Sequence, residues 1–190
     1  GTTTVAPVLN SGNTAWLTVA TILVMLMTIP GLALFYGGLV RQKNVLSIIM
    51  QCLICVAVVS ILWIAFGYSW VFGKGFAGTS IGAFIGGFDK VFLNGVTTSS
   101  LTTPANVPEI TFVLFQCMFA VITPGLIIGA FAERIKFSGF LLFTVLWSII
   151  VYNPMAHFVW GGGWLQQLGA IDFAGGTVVH INAGISALIM

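Results

Sequence analysis

Long apolar segments alternate with short polar ones along the 190-residue chain. Four segments contain no Asp, Glu, Lys or Arg, and they cover residues 15–40, 45–72, 110–132 and 137–160. Each exceeds the ~20 residues that a helix needs to cross ~30 Å of hydrocarbon. Because a helix satisfies its own backbone hydrogen bonds in a bilayer, the pattern predicts transmembrane helices rather than strands. A fifth apolar segment follows Asp172 and continues to Met190.

Composition places the chain among integral membrane proteins. Charged residues make up 5% of the chain and hydrophobic residues 58%, and the mean hydropathy is +1.11. A soluble domain has about 25% charged residues, which are needed to cover its surface. We therefore expect residues 1–190 to form one all-α, polytopic membrane domain with five spans. The net charge of +2 gives no indication of nucleic-acid binding.

The distribution of basic residues predicts the orientation of the spans. Two short loops each carry two basic residues: residues 41–44 read RQKN and residues 133–138 read ERIKFS. The positive-inside rule places such loops in the cytoplasm. The N-terminus and the segments 73–109 and 157–173 are then expected outside the cell membrane. Because the sequence stops inside an apolar segment, we expect the chain to be the front part of a longer one.

Prolines and glycines divide the predicted spans. Pro30, Pro124 and Pro154 lie within or late in three of them, and proline is a common cause of helix kinks. Gly125 and Gly129 form a pair of small residues four apart, a spacing that allows a neighbouring helix to approach closely. The pattern therefore predicts several tightly packed helices with local kinks.

Two polar residues near the fifth span need an explanation. Asp172 precedes the apolar run and is predicted to be the N-cap residue of a helix, where a carboxylate meets the positive end of the dipole. It can act as a cap alone or also attract a cation. His180 is predicted two turns further, about 12 Å deeper at 1.5 Å per residue. It is either a neutral histidine bonded to another helix or part of a transport pathway, which intramembrane ionisable residues commonly indicate.

Aromatic residues accompany these groups. Trp160 belongs either to the aromatic belt at the membrane surface or to a cation–π site. Phe115 and Phe119 lie four residues apart on one helix face, a spacing that usually indicates packing. His157, near the end of the fourth span, is interpreted as a structural interfacial histidine.

Two other classes of membrane protein could have this composition. A membrane cytochrome would use His157 and His180 as haem ligands, but they are predicted at different depths. An intramembrane hydrolase would use Asp172 and His180, but no activated serine or cysteine accompanies them. Cys52 and Cys55 form a CxxC inside an apolar run and are interpreted as packing residues. We therefore expect neither an enzyme nor a metal or cofactor.

Three long motifs resemble those of the ammonium transporter family (Amt/Mep/Rh), on its Amt side. They read GLALFYGGLVRQKN, then FAVITPGLIIGAFAERIKFS, then AHFVWGGGWLQQLGAIDFAGGTVVHINAG. The order and spacing match across essentially the whole chain. The resemblance implies an eleven-helix fold built from two inverted five-helix repeats and one further helix, of which this chain would form the first repeat. It also implies a homotrimer and a possible cytoplasmic regulator of the PII type.

The resemblance assigns a role to individual residues. Trp160 resembles the tryptophan of the outer ammonium site, and Phe119 the phenylalanine that walls this site and contributes to the gate below it. Phe115 is placed with the pore on the same grounds. Asp172 resembles the acid that organises the outer site, and His180 the first of two paired pore histidines. The second histidine, the second gate phenylalanine and an outer-site serine belong to the family's second half.

The implied function is transport of ammonium or ammonia in nitrogen uptake. Ammonium would be recruited at the outer aromatic site and deprotonated before ammonia crosses a hydrophobic pore. A route of this kind excludes potassium, which has no proton to release, and burying an intact cation would be far costlier than passing neutral ammonia. The alternative is an ammonium sensor built on the same scaffold, with a signalling domain after its last helix.

Overall fold

The computed structural model describes residues 7–103 and 105–190, and residues 1–6 of the predicted domain lie outside this part. Four of its helices are long and apolar enough to span a membrane. They are α1 (Ser11–Leu39), α2 (Gln42–Phe72), α3 (Glu109–Phe131) and α4 (Phe137–Gln167), of 29, 31, 23 and 31 residues. A shorter apolar helix, α5 (Gly176–Ile189), follows. The predicted helical, polytopic class is confirmed.

The start of the fifth helix differs from the prediction. α5 begins at Gly176 rather than directly after Asp172, and residues 173–175 form a bend in which Gly175 has a left-handed backbone (φ 78°). Its six π-helical and eight α-helical residues rise about 21 Å, less than the ~30 Å of a bilayer core. A complete fifth span and the inverted repeat therefore stay predictions.

Three of the long helices contain a π-helical stretch. These stretches are Met27–Leu32 in α1, Trp63–Gly67 in α2 and Ser148–Tyr152 in α4. The predicted kink at Pro30 is confirmed, because Ile29 before it has non-helical angles (φ −131°, ψ 113°). A wider helical turn of this kind changes the direction in which all later side chains point.

The other two prolines interrupt their helices less. α3 continues as an α-helix across Pro124, and the kink expected there stays a prediction. Pro154 lies inside α4, two residues after the end of the π-helical stretch Ser148–Tyr152.

α3 forms the centre of the bundle and contacts α1, α2 and α5. Its glycines allow the close approach that the sequence predicted, because a Cβ on Gly129 would lie 2.7 Å from the ring of Tyr36 in α1. The hydroxyl of Tyr36 donates to the carbonyl of Leu126 across the same interface (2.8 Å). Three free cysteines pack in the buried core around α3: Cys52, Cys55 and Cys117.

The two short basic loops meet at one end of the bundle. The Glu133 carboxylate accepts from the backbone N–H of Arg41 (2.7 Å) and from the side-chain amide of Asn44 (2.8 Å). These two donors hold the pKa of Glu133 below its usual value. The structure thus places both loops on the same side of the molecule, as the charge pattern predicted.

The opposite end of the bundle carries the long segment between α2 and α3. It contains 3₁₀ turns at Ile81–Ala83 and Val91–Leu93. It also contains a short antiparallel pair, β1 (Leu101–Thr102) and β2 (Val107–Pro108), in which Leu101 faces Pro108. This small sheet departs from the strictly all-α prediction. An ion pair between Lys90 and Glu109 joins the segment to the start of α3.

Candidate functional site

A cavity of about 780 Å³ opens between α1, α3, α4 and the segment before α5. It lies toward the end of the bundle opposite to the basic loops, where α4 ends and α5 begins. We call it the aromatic chamber. Four predicted site residues line it together, and all four are half-buried: Phe115, Phe119, Trp160 and Asp172. Residues distant in the sequence therefore meet at one site.

The aromatic side chains form a continuous wall. The rings of Phe119 and Trp160 lie 6.0 Å apart at 68°, and those of Phe115 and Phe119 lie 5.0 Å apart at 83°. Both pairs are edge-to-face, the arrangement that aromatic quadrupoles favour. Phe115 and Phe119 share one face of α3, as their spacing predicted. Aromatic rings of this kind can attract a cation but form few hydrogen bonds.

Trp160 owes its position to the glycines that follow it. A Cβ on Gly161 would lie 1.9 Å from the carbonyl oxygen of Val71, and one on Gly163 would lie 2.7 Å from that of His157. No larger residue fits at either place without moving the backbone. The tight turn ends the α-helical stretch directly after Trp160.

Asp172 caps α5 from outside the helix. One carboxylate oxygen accepts from the N–H of Gly176 (2.8 Å), and the other accepts from those of Thr177 and Val178 (both 3.0 Å). The sequence predicted Asp172 as the N-cap residue itself, whereas Gly175 occupies that position. The carboxylate is thus fixed at the positive end of the helix, beside the chamber.

His180 lies apart from the chamber lining. It is the fifth residue of α5, about one turn, ~6 Å, from the helix start at Gly176. The predicted depth of two turns was counted from Asp172 and stays a prediction. Its Nδ1 is 3.1 Å from the carbonyl oxygen of Gly175. Because a carbonyl only accepts, the proton of a neutral His180 resides on Nδ1, and Nε2 carries a free lone pair. The ring itself is exposed.

Gln116 is a lining residue that the sequence analysis missed. It lies on α3 between the two phenylalanines and borders the chamber. Its Oε1 is buried and has no hydrogen-bond partner within the described residues. The sequence shows a glutamine within an apolar segment, but it does not show that the carbonyl oxygen of this side chain lacks a partner. It adds a polar group to a wall that is otherwise largely aromatic.

His157 is buried, with 2% of its surface exposed. Its Nδ1 lies 2.7 Å from the carbonyl oxygen of Val71, and its Nε2 lies 3.0 Å from that of Gly82. Both ring nitrogens are therefore occupied by backbone contacts. This geometry counts against the haem-ligand interpretation, because a haem ligand needs one free ring nitrogen.

Comparison with known proteins identifies the family. The sequence model of the Ammonium Transporter Family matches residues 15–190. The ammonium transporter of Bacillus subtilis (strain 168) is 49% identical over 179 residues, which cover 94% of this chain and 43% of that protein. The ammonium transporter of Aquifex aeolicus (strain VF5) is 50% identical over 182 residues, 95% of this chain and 41% of that protein. The chain thus spans about two fifths of the length of these relatives.

Solved structures show the same fold. The crystal structure of Candida albicans Mep2 matches with a TM-score of 0.82 and 38% identity, over 95% of this chain and 38% of that one. The crystal structure of Saccharomyces cerevisiae Mep2 matches with a TM-score of 0.83 and 34% identity, over 95% of this chain and 39% of that one. The helical bundle and its apolar spans agree with these matches. The chain is a multi-pass membrane protein that belongs to the ammonium transporter family.

Proposed function

We propose that the protein transports ammonium, and that the aromatic chamber recruits the cation before ammonia crosses a hydrophobic passage. The observation that carries this proposal is the meeting of Phe119, Trp160 and Asp172 around one cavity. Aromatic faces attract a cation, and a carboxylate nearby adds a negative potential. The relatives named as ammonium transporters indicate which cation this is.

The chamber attracts ammonium without binding it tightly. Both carboxylate oxygens of Asp172 already accept backbone N–H groups. The acid therefore acts through its charge and by holding the start of α5, rather than as a direct ligand. Weak, delocalised attraction suits a transport site, because a strongly bound ion would leave slowly.

Deprotonation is the step that separates ammonium from potassium. Ammonia is neutral and crosses an apolar passage at far lower cost than a cation. His180 supports this step, because its bond to Gly175 leaves Nε2 able to accept a hydrogen bond along the passage. Phe115 and Phe119 stand at the chamber as the apolar entrance. The rest of the passage belongs, on the resemblance, to a second repeat.

The charge pattern supports an orientation of the transporter in the membrane. The basic loops at one end support a cytoplasmic position for that end and an external N-terminus in the cell membrane. Residues 1–190 are then one transmembrane domain of the transporter. A homotrimer and a PII-type regulator rest on the family resemblance alone.

Reconstitution tests the proposed function directly. The full-length protein in proteoliposomes is expected to move ammonium down its gradient and to leave potassium untransported. Uptake is measured with an entrapped pH dye and with labelled methylammonium, and empty liposomes are the control. Equal permeation of potassium and ammonium would show an ordinary cation channel and would refute the deprotonation step.

Replacement of Trp160 tests the recruitment site. We expect Trp160→Leu to raise the half-saturating ammonium concentration up to ~30-fold, since a desolvated cation–π contact contributes about 2 kcal/mol. Trp16→Leu is the matched control, because Trp16 is 69% exposed on α1 and outside the chamber lining. Equal half-saturating ammonium concentrations in the two variants would assign Trp160 to packing or to the aromatic belt.

A further inference from the structure

We propose that residues 76–93, in the connection between α2 and α3, lie in the interfacial layer of the bilayer and insert Phe84, Phe88 and Phe92 among the lipid headgroups. We call these residues the aromatic loop. The charge pattern predicts only that this connection lies on the side of the membrane opposite to the basic loops. A lipid contact goes beyond that prediction, and it does not depend on the transported substrate.

The aromatic loop exposes large apolar side chains where a loop in water would expose polar ones. Residues 75–88 contain no charged residue. Phe84 and Phe88 are each 58% exposed, and Phe92 is 76% exposed. Exposed apolar groups that cluster in this way commonly mark a contact with a membrane or with another molecule. Aromatic residues in particular are enriched where the hydrocarbon core of a bilayer meets its headgroups.

The lengths of α2 and α3 locate the edge of the hydrocarbon core beside this loop. A core of ~30 Å corresponds to about 20 helical residues. Counted from the basic loops, this length ends near Ile64 in α2 and near Phe112 in α3. The two counts agree, because the indole N–H of Trp63 donates to the carbonyl of Val113 (3.1 Å). The edge therefore lies at the level of the π-helical stretch in α2.

The aromatic loop descends along α2 to this edge. The N–H of Gly86 donates to the carbonyl of Trp70, near the end of α2 (2.7 Å). Further along the loop, the 3₁₀ turn Val91–Leu93 contacts the π-helical stretch Trp63–Gly67. Phe92, at the centre of that turn, thus lies at the level where the hydrocarbon core ends.

A third helix gives the same level for Phe84. The count of about 20 residues along α4, from its start after the second basic loop, ends near Ala156. The rings of Phe84 and Phe158 lie 6.0 Å apart at 84°. Because Phe158 follows Ala156 by only two residues, Phe84 also lies close to the edge of the hydrocarbon core. The loop therefore reaches this edge both at α2 and at α4.

The backbone of the turn Val91–Leu93 suits a contact with lipid. Phe92 (φ 51°, ψ 33°) and Leu93 (φ 58°) both have a left-handed backbone, which is uncommon for bulky residues. In this conformation Leu93 packs against the buried core, whereas Phe92 is exposed. The N–H groups of Leu93 and Asn94 donate to carbonyls within the turn (2.9 and 3.1 Å). Such internal partners are what non-helical backbone requires near lipid.

The charged groups beside the turn have partners within the same connection. The carboxylate of Asp89 accepts from the backbone N–H groups of Lys74 (3.1 Å) and Gly75 (2.9 Å). Lys90 pairs with Glu109 at the start of α3. The exposed surface that these contacts leave for the bilayer is formed by the phenylalanine rings.

Spin labels measure the depth of the aromatic loop directly. Phe84→Cys, Phe88→Cys and Phe92→Cys are labelled in the full-length protein in phosphatidylcholine proteoliposomes, and Thr98→Cys, at an exposed position in a polar stretch, is the control. The native cysteines of the described part are buried, and those of the remaining chain are replaced by serine. The access of oxygen and of a polar nickel complex to each label gives its depth. We expect the three loop labels to lie about 5–10 Å deep in the interface and the control to lie in water.

Two results of this experiment would overturn the proposal. Loop labels as accessible to the nickel complex as the Thr98→Cys label would place the loop in water. Loop labels shielded from both reagents would assign the phenylalanines to a protein contact, with a second copy or with the rest of the chain. Neither result depends on transport, so both are distinct from a failure of the proposed function.

A charge at position 92 tests the lipid contact by the sign of its effect on stability. Asp and Asn adopt a left-handed backbone more readily than Phe does, so in water Phe92→Asp would raise the thermal midpoint. A carboxylate is costly in lipid, so in phosphatidylcholine nanodiscs we expect Phe92→Asp to lower the midpoint by several degrees. Phe92→Asn, which has the same backbone preference without the charge, should lower it less, and Thr98→Asp should leave it unchanged. An unchanged or raised midpoint in Phe92→Asp would refute the lipid contact.

Discussion

Asp172→Ala is expected to reduce ammonium uptake at least ~100-fold, a factor that corresponds to about 2.7 kcal/mol. The substitution leaves three backbone N–H groups at the start of α5 without their acceptor. Each such group costs about 1–3 kcal/mol when water cannot replace the acceptor. It also removes the negative charge beside the chamber. Uptake into vesicles and elution on size exclusion measure activity and folding separately.

Asp172→Asn separates the two contributions of this side chain. The amide oxygen still accepts a hydrogen bond, whereas the charge and one acceptor oxygen are lost. We expect this variant to fold better than Asp172→Ala and still to transport poorly. Asn10→Ala is the control for loss of a helix cap, because Asn10 caps α1 at the N–H of Asn13 (2.9 Å), remote from the chamber. Normal uptake in Asp172→Ala would reduce the carboxylate to a dispensable cap.

His180→Ala should assemble normally and transport with lower selectivity. The ring is exposed and its one hydrogen bond in the described part of the chain goes to Gly175 within the same turn, so folding depends little on it. We expect the ratio of ammonium to potassium permeation to fall at least about tenfold, which corresponds to ~1.4 kcal/mol along the path. Currents and labelled uptake in proteoliposomes measure this ratio.

The control for this variant is another exposed residue of α5. Ile185→Ala removes an apolar side chain that is 56% exposed and has no ionisable group. Retention of selectivity in Ile185→Ala and its loss in His180→Ala would assign the effect to the imidazole. Unchanged selectivity in both variants would make His180 a structural residue.

The four long helices could be predicted from the sequence because charge marks their ends. The third apolar segment was predicted to be 110–132 and forms Glu109–Phe131, and the fourth helix begins at Phe137 as predicted. Charged side chains are costly in lipid, so the first charged residue after an apolar segment marks a boundary. Gly129 was informative for a similar reason, since only a small residue permits the contact with Tyr36.

The fifth helix was less predictable because its start depends on backbone geometry. The run after Asp172 is apolar throughout, so hydropathy alone begins the helix at residue 173. Residues 173–175 form a bend in which Gly175 adopts a left-handed conformation, and the helix starts three positions later, at Gly176.

The site residues that the sequence did not reveal are those whose importance depends on their packing partners. Gln116 gave no signal, because its importance lies in a carbonyl oxygen left without a partner. His157 was interpreted as an ordinary interfacial residue, whereas it is buried against two carbonyl groups from other parts of the chain. Long-range contacts of this kind leave no periodic pattern in the sequence. Trp160 and Phe119 could be paired only through the family resemblance.

The π-helical stretch in α4 makes the orientation of the aromatic wall depend on the number of residues that precede Trp160. A π turn holds more residues than the 3.6 of an α-helical turn, so Ser148–Tyr152 amounts to an insertion of about one residue in an α-helix. Each residue turns the chain by about 100°. The direction in which Trp160 faces is therefore encoded partly in the length of the segment before it. We therefore expect an insertion or deletion of one residue there to turn Trp160 away from the chamber.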